Sequence, residues 1–332
     1  MSASFTPERL LGMARGFMEA RVFLSGAELG LYGLLAAEPL GAAEIARRTG
    51  ASSRPMTVLL DALAALGLLA KTDDRYQTEP SAAQLLGADA PGSVLPMVLH
   101  SAHLWSTWSR LTETVAPDRR APERDLRDPE QLRAFIGAMH VVGAPVADRV
   151  VAAIDPGPAR ALLDVGGGPG TYTLAFLRAS PLLRATLFDR PAVVEMARDR
   201  FASAGVLQRV ALAAGDFYRD ELPGGHDLAL LSAIIHQNSP AQNVELYRKV
   251  LRALQPGGRL VIRDHVMERD RIRPPAGALF AVNMLVGTEG GGTYTLEEIE
   301  GGLAEAGFAA VRLLQRGDRM DGLVEAFKPA AS

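Results

Sequence analysis

The chain has 332 residues, a formal net charge of −3 and no cysteine. This length is sufficient for one large domain and one smaller domain. The lack of cysteine excludes disulfides, zinc sites with thiolate ligands and cysteine nucleophiles. No overall excess of positive charge exists to attract nucleic acid or an anionic membrane. Because the first residues lack the basic-then-apolar layout of a signal peptide, we expect a cytoplasmic protein.

Residues 1–90 predict a winged-helix domain. A short helix at 41–50 ends at a glycine, a second helix runs to Leu66, and residues 67–78 are typical of a small hairpin. A winged helix suggests DNA binding, but the second helix offers only Arg54 to phosphates and is otherwise apolar. We therefore predict that this domain forms a homodimer and does not bind nucleic acid.

Residues 91–155 predict a helical connector, which the charged, proline-containing stretch at 117–129 interrupts. His100 and His103 have the i, i+3 spacing that permits metal ligation on a helix. No third ligand accompanies them, and the pair is better explained as part of a helix stripe. The sequence therefore predicts no metal site.

From residue 156 onward, short apolar runs alternate with amphipathic stretches. This alternation predicts a parallel sheet with helices on both faces, which is a doubly wound, Rossmann-like α/β domain over 156–332. The predicted strands lie at 162–165, 185–188, 210–212, 228–231, 259–262, 311–314 and 323–327, and the predicted helices at 171–178, 192–204, 241–254 and 296–306.

The glycine-rich segment between the first of these strands and the first helix indicates a ligand. Gly166 and Gly168 fit the first two positions of a dinucleotide-binding fingerprint, but Thr171 occupies the third. Asp164, just before the turn, would repel a pyrophosphate but suits a cationic amino group. The turn therefore favours a nucleoside that carries an amino acid, such as S-adenosylmethionine (SAM), over a dinucleotide. The alternative is a glycine-rich turn without a ligand.

Acidic residues also follow the next two predicted strands. Open α/β sheets bind ligands at the carboxyl ends of their strands, where Asp189 can accept both ribose hydroxyls. Asp216 and Phe217 suit an adenine ring, one by a hydrogen bond and the other by apolar contact. Arg190, which directly follows Asp189, completes the cofactor residues predicted at these strand ends.

Together these motifs resemble those of the SAM-dependent small-molecule O-methyltransferases of the plant caffeic-acid and hydroxyindole type, which include bacterial members. The resemblance extends over about residues 10–328 and implies an N-terminal winged-helix dimerisation domain followed by a SAM-binding α/β domain. The matching residues are 164–170, Asp189, 215–217, 235–236 and 255–258, together with 29–32 and 66–69.

The resemblance also implies roles for individual side chains. It implies that Asp189 holds the ribose and that Asp216 and Phe217 hold the adenine. The connector would contribute to an acceptor pocket, in which Trp105 and His140 are further candidates. The other residues implied are Ser232, Phe135 and Met139 at the cofactor, and Asn283 and Met284 in the acceptor pocket.

His236 follows the fourth predicted strand and therefore lies at the cofactor edge of the sheet. Imidazole accepts a proton near neutral pH, and a phenol is a weak nucleophile until it is deprotonated. The position matches the general base of the family, and Asp264, at the end of the fifth strand, matches the carboxylate that supports it. The family commonly has His-Asp-Trp-Ser-Asp here, whereas this chain has His-Gln-Asn-Ser-Pro, and Thr293 aligns with a second acid of the family.

We therefore predict a metal-independent, SAM-dependent O-methyltransferase that acts on a small aromatic hydroxyl compound with His236 as general base. The departures after His236 leave open N- or C-methylation, or chemistry other than methyl transfer, with the same cofactor. A winged-helix regulator that senses a small molecule is an alternative from a different functional class.

Overall fold

The computed structural model describes residues 5–88, 90, 92–116 and 128–330, and the chain divides into two compact units. The first comprises Met1–Trp105 with Pro129–Val141, and the second comprises Ser106–Asp128 with Val142–Ser332. Most of the interruption predicted in the connector, residues 117–127, lies outside the described residues. The predicted division into segments 1–90, 91–155 and 156–332 stays a prediction.

The first unit is mainly helical and contains one small antiparallel sheet, of strand order β1-β3-β2. Up to residue 143 the elements are α1 Pro7–Glu28, α2 Leu31–Ala37, β1 Leu40–Gly41, α3 Ala42–Thr49, α4 Ser53–Ala65, β2 Leu69–Thr72, β3 Arg75–Thr78, α5 Pro80–Leu86, α6 Leu95–Trp108, α7 Leu111–Val115 and α8 Pro129–Gly143. Helices α3 and α4 with the β2–β3 hairpin form the predicted winged helix, while α7 belongs to the second unit.

The apolar side of α4 packs into the core of its own unit. Met56, Leu60 and Leu63 are buried there, so these three apolar side chains are covered by their own unit and are not open to a partner. The largest group of exposed apolar side chains in this unit lies along the first helix, although Val58 of α4 is also exposed. This group on the first helix comprises Leu10, Leu11, Met13, Phe17 and Met18, each at least 52% exposed.

The second unit contains a seven-stranded sheet covered by helices. Its elements from residue 144 onward are α9 Ala147–Ile154, β4 Ala161–Val165, α10 Thr171–Ala179, β5 Arg184–Asp189, α11 Pro191–Ser203, β6 Val210–Ala214, β7 His226–Ser232, α12 Pro240–Ala253, β8 Leu254–Asp264, β9 Val266–Met267, α13 Pro275–Gly287, β10 Tyr294–Thr295, α14 Leu296–Ala306, β11 Ala309–Gln315 and β12 Gly322–Phe327. Short 3₁₀ turns lie at Leu207–Arg209 and Ile235–Gln237.

No single helix within the described ranges is long and apolar enough to cross a membrane. Two bent pairs, α1 with α2 and α8 with α9, are long and apolar enough only when both helices of a pair are counted together.

The strand order β11-β12-β8-β7-β4-β5-β6 confirms the doubly wound fold. Strands β4 to β8 are parallel, whereas β12 pairs antiparallel with β8 and β11 antiparallel with β12. The chain moves outward from β4 to β6 and then returns to place β7 on the other side of β4. This reversal opens a crevice at the carboxyl ends of β4 and β7, where such sheets bind ligands.

Three parts of the second unit differ from the prediction or were missed. Strand β8 begins at Leu254 rather than at residue 259, and the β9–β10 pair was not predicted. Helix α13 was also missed, because its residues are apolar on nearly every side and show no helical period. Its Pro275 occupies the first turn, where a missing N–H costs no hydrogen bond.

Phe201 of α11 supports the glycine-rich turn from below. Its ring is fully buried, and a Cβ at Gly170 would lie 2.3 Å from its Cζ atom. Gly170 also has a φ of +73°, which side-chain-bearing residues adopt only at a cost. The turn can therefore pack closely over α11 only with glycine at this position.

Phe201→Ala should lower the free energy of unfolding by about 3–5 kcal/mol, because it leaves a cavity in a core that cannot close completely. Urea denaturation followed by circular dichroism measures this loss. The control is Leu182→Ala, since Leu182 is 68% exposed and should cost less than about 0.5 kcal/mol. Equal losses for the two variants would contradict the packing role.

Candidate functional site

The glycine-rich turn leaves open space beside its backbone. Gly168 is buried, yet a Cβ built on it would meet no atom within 4 Å. At Gly166, by contrast, a Cβ would lie 2.4 Å from Ile234 and 3.7 Å from the Phe217 ring. The structure thus brings Phe217 to the turn and leaves room for a ligand against the backbone of Gly168.

Asp189 joins the end of β5 to this turn. Its Oδ2 atom accepts the N–H of Gly168 at 2.9 Å, and its Oδ1 atom accepts the N–H of Arg190 at 2.7 Å. Burial raises the pKa of this carboxyl above its ordinary value. Each oxygen keeps a further lone pair for a ligand hydroxyl, so the predicted ribose contact is chemically compatible with the role in the turn.

Asp164 lies beneath the turn rather than at its surface. The carboxyl is 1% exposed and accepts a hydrogen bond from the Thr173 hydroxyl at 2.6 Å. Burial raises its pKa to about 6, and the nearby charge of Asp189 adds to this effect. A cationic group close to Asp164 would favour the ionised form, which is the electrostatic condition for the predicted amino-group contact.

Asp216 and Phe217 follow β6, as predicted. The Oδ1 atom of Asp216 accepts the N–H of Tyr218 at 3.0 Å, while its side chain stays 40% exposed. The rings of Phe217 and Tyr218 lie 4.6 Å apart. The segment therefore places an apolar ring beside the turn and a carboxylate next to it.

His236 and Asp264 form the central polar pair of the site. The Nδ1 atom of His236 lies 2.9 Å and 3.0 Å from the two carboxylate oxygens of Asp264, and both side chains are buried. Although burial opposes ionisation, His236 and the N–H of His265 hold the pKa of Asp264 below its ordinary value. The contact through Nδ1 leaves Nε2 of His236 available to another group.

Phe280 of α13 lies beside the rings of two histidines, and the sequence did not reveal this cluster. Its ring is edge-on to His236 at 4.8 Å and tilted against His265 at 5.1 Å. Both histidines also contact Asp264, one through its ring and the other through its backbone. No role was predicted for His265, because the helix that packs against it was not predicted from the sequence.

A neutral hydrogen-bond network holds the segment after His236, where the sequence departs from the family. Asn238 is fully buried, accepts the Tyr218 hydroxyl at 2.6 Å and donates to the Asn243 side chain at 2.9 Å. Asn243 in turn donates to the carbonyl of Ile235 at 2.9 Å. The Tyr294 hydroxyl donates to the carbonyl of Asn238. Sequence reasoning missed this network, because its members are far apart in the chain.

The loop that carries Thr293 contacts His236 through backbone. The N–H of Gly292 donates to the carbonyl of His236 at 2.8 Å, and a Cβ on Gly291 would lie 2.5 Å from the same oxygen. Thr293 itself is buried, and its carbonyl accepts a bond from Arg271. The position of the family's second acid is thus occupied by a hydroxyl.

The predicted acceptor residues of the second unit lie on α13. The Oδ1 atom of Asn283 accepts the Trp108 indole N–H at 3.0 Å, and Met284 is almost fully buried. Helix α13 therefore carries both Phe280 and the Asn283 amide, whose orientation is fixed by the hydrogen bond from the Trp108 indole. Ser232 lies at the end of β7, where its hydroxyl accepts a bond from Arg263 at 3.2 Å.

Four predicted residues belong to the first unit. Trp105 lies on α6 under the guanidinium of Arg21, and the Phe135 ring on α8 meets the His100 ring at 5.3 Å. Their roles at the cofactor and the acceptor stay predictions, as do those of the remaining two, Met139 and His140 of α8.

Comparisons with known proteins identify two family models in the chain. An O-methyltransferase domain matches residues 119–309, and an O-methyltransferase dimerisation domain matches residues 11–88. The chain is 35% identical over 320 residues to the 3-hydroxy-5-methyl-1-naphthoate 3-O-methyltransferase of Streptomyces sahachiroi, covering 93% of this chain and 91% of that protein.

Two solved structures show the same fold over nearly the whole chain. Human N-acetylserotonin methyltransferase in complex with SAM has a TM-score of 0.82 at 25% identity, covering 99% of this chain and 100% of the human chain. The N,N-8-amino-8-demethyl-D-riboflavin dimethyltransferase of Streptomyces davawensis has a TM-score of 0.79 at 28% identity, covering 98% and 99% of the two chains.

Asp164 should make stability depend on pH. Because its pKa in the folded state, about 6, exceeds the ordinary 3.8, its contribution to stability is full below about pH 4 and is lost as the pH rises through 6. Asp164→Asn cannot ionise, so it should exceed the wild type in free energy of unfolding by about 2–3 kcal/mol at pH 8 and match it near pH 4. Urea titrations at pH 4, 6 and 8 measure the difference. A difference that stays constant with pH would contradict this assignment.

Proposed function

The chain belongs to the SAM-dependent O-methyltransferase family, and we propose that it transfers a methyl group from SAM to a hydroxyl of a small aromatic acceptor, with His236 as general base. The observation that carries this proposal is the buried pair of His236 and Asp264 beside the glycine-rich turn. The pair offers one ring nitrogen to a carboxylate and keeps the other for the acceptor.

The residues at the turn fit the cofactor. When bound, SAM supplies a methyl group on a positively charged sulfur. The open space at Gly168 would admit it against the backbone, Asp189 would accept its ribose hydroxyls, and Phe217 would contact the adenine face. The proposed cofactor residues also include Asp164, Gly166, Arg190, Asp216, Ser232, Phe135 and Met139.

In the proposed mechanism His236 takes the proton of the acceptor hydroxyl on Nε2. With Nδ1–H donated to Asp264, the neutral ring has its lone pair on Nε2, which fixes the tautomer that a base requires. The carboxylate then stabilises the imidazolium that forms. Burial of both groups keeps the interaction strong, because water does not screen it.

Asn283, Phe280 and Trp108 would hold the acceptor. The aromatic rings supply a flat apolar surface, and the Asn283 amide, fixed by Trp108, supplies a directional polar contact. Such a combination suits a planar ring that carries a polar substituent. Alignment of the hydroxyl with the methyl group within about 3–3.5 Å would provide much of the acceleration.

A second candidate is methylation of a nitrogen on a similar acceptor. Its support is the structural likeness to the dimethyltransferase of Streptomyces davawensis, whose name specifies an amino substituent. An uncharged amine has its own lone pair and needs no base before it attacks the methyl group. The two candidates therefore differ in how strongly they need His236.

We also propose that the first unit forms a homodimer through α1. The dimerisation family model includes most of this helix, and its apolar residues Leu11, Phe17 and Met18 are each more than half exposed. Burial of such side chains against a second copy is favourable. A cytoplasmic location and the lack of nucleic-acid binding stay predictions.

His236→Ala should lower kcat for O-methylation by about 10²–10⁴-fold, because the base is lost while the cofactor residues are intact. Radiolabelled methyl transfer to a panel of phenols measures the rate. Calorimetric titration with S-adenosylhomocysteine (SAH), the demethylated cofactor, serves as the control and should give an unchanged Kd. Unchanged turnover on phenols would overturn the base assignment, and retained turnover on aromatic amines alone would favour N-methylation.

Leu11→Arg combined with Phe17→Arg should convert a dimer into a monomer. The two charges would be buried without partners in the proposed interface, which costs several kcal/mol. Light scattering coupled to size-exclusion chromatography measures the mass. The control is Val58→Arg on α4, an exposed apolar residue outside α1, which should leave the mass unchanged. A dimer that persists in the double variant would exclude α1 as the interface.

A further inference from the structure

Arg263 carries a charge that is buried with few partners. Arg263 is 5% exposed, and its Nη1 atom donates to the Ser232 hydroxyl at 3.2 Å. Its Nε atom has no hydrogen-bond partner among the described residues. The guanidinium lies 4.9 Å over the Tyr172 ring. Because buried charges are costly unless they are paired, this arrangement is suited to an anion.

The strand register and α10 place Arg263 at the same end of the sheet as the glycine-rich turn. It is paired with Ser232 in the β7–β8 register, and Leu231 is paired with Val165 in the β4–β7 register. Ser232 therefore lies level with Gly166. Tyr172 is in the first turn of α10, directly after the glycines. The guanidinium thus lies at the same end of the sheet as the proposed cofactor site.

The neighbouring carboxylates form no ion pair with Arg263 among the described residues, although Asp321 acts electrostatically on Tyr172. Asp264 is adjacent in sequence, but alternation along the strand directs it to the other face, where it pairs with His236. Within the described part of the chain, no carboxylate lies within the 4.0 Å ion-pair distance of Arg263. Arg259, on the same face of β8, shows the contrast, because it forms an ion pair with Glu325 at 3.4 Å.

We propose that Arg263 binds a carboxylate, namely that of the methionine portion of SAM. The inference rests on the proposed function and specifies how the cofactor's amino-acid end is held. A guanidinium offers two parallel N–H groups to a carboxylate, and here Nε is buried without a hydrogen-bond partner among the described residues. Asp164, Asp189 and Asp216 are acidic and cannot take this part of the cofactor. The other possible source of a carboxylate is an acidic acceptor.

The test compares two adenosine ligands by calorimetric titration of Arg263→Gln and the wild type. SAH contains the carboxylate, whereas 5′-methylthioadenosine shares the adenosine and the thioether but lacks the amino-acid end. The variant should raise the Kd for SAH by about 10- to 100-fold and leave the Kd for methylthioadenosine within about twofold. Arg263→Lys, which keeps the charge but loses the parallel donors, should give an intermediate loss.

Arg259→Gln is the matched control, on the same strand and face, and should bind both ligands as the wild type does. An equal loss for both ligands in Arg263→Gln would overturn the proposal, because it would indicate a structural role. Unchanged SAH binding, with KM raised for acidic but not neutral acceptors, would overturn the cofactor assignment and transfer the contact to the acceptor. Failure of the wild type to bind SAH would instead count against the proposed function.

Discussion

The hydrogen bond from the N–H of Gly168 to the carboxylate of Asp189 connects the turn after β4 with the end of the adjacent strand β5, and the N–H of Arg190 fixes the second oxygen of the same carboxylate. The shape of the glycine-rich turn depends on the bond from Gly168, because glycine alone supplies little that would hold a tight turn in one conformation. Phe201 supports the same turn from below, and Phe217 lies beside it. An acid that the sequence assigned to a ligand thus also organises the protein that surrounds the ligand.

Much of the second unit was predictable, because its signals are local. The strands around Val165 and Asp189 are short apolar runs followed by turn residues, and the order of acid and glycines marks the crevice without knowledge of the fold. The pairing of His236 with Asp264 needed the resemblance to a family, since the two residues are separated by a whole helix and strand. Helix α13 was missed for a physical reason, namely that apolar residues on all sides produce no period.

The first unit shows the opposite case. The apolar residues of α4 suggested a partner surface, but burial cannot be read from composition alone, and Met56, Leu60 and Leu63 fill the core of their own unit. The exposed apolar side chains of α1 had no special pattern in the sequence. Arg263 likewise had no distinguishing feature in the sequence, where it is one charged residue in an apolar strand. Its lack of a carboxylate partner becomes visible only in the structure, which gives the positions of the neighbouring carboxylates.

The segment after His236 is held by amides and hydroxyls rather than by acids. Burial raises the pKa of Tyr218 and raises that of Tyr294 to about 12, and Asn238 and Asn243 do not titrate, so none of these groups gains or loses a proton between about pH 5 and 9. The hydrogen bonds that these four side chains make to the segment therefore do not change with pH over this range. Uptake of the acceptor's proton by His236 thus leaves unchanged the hydrogen bonds that hold this segment in place.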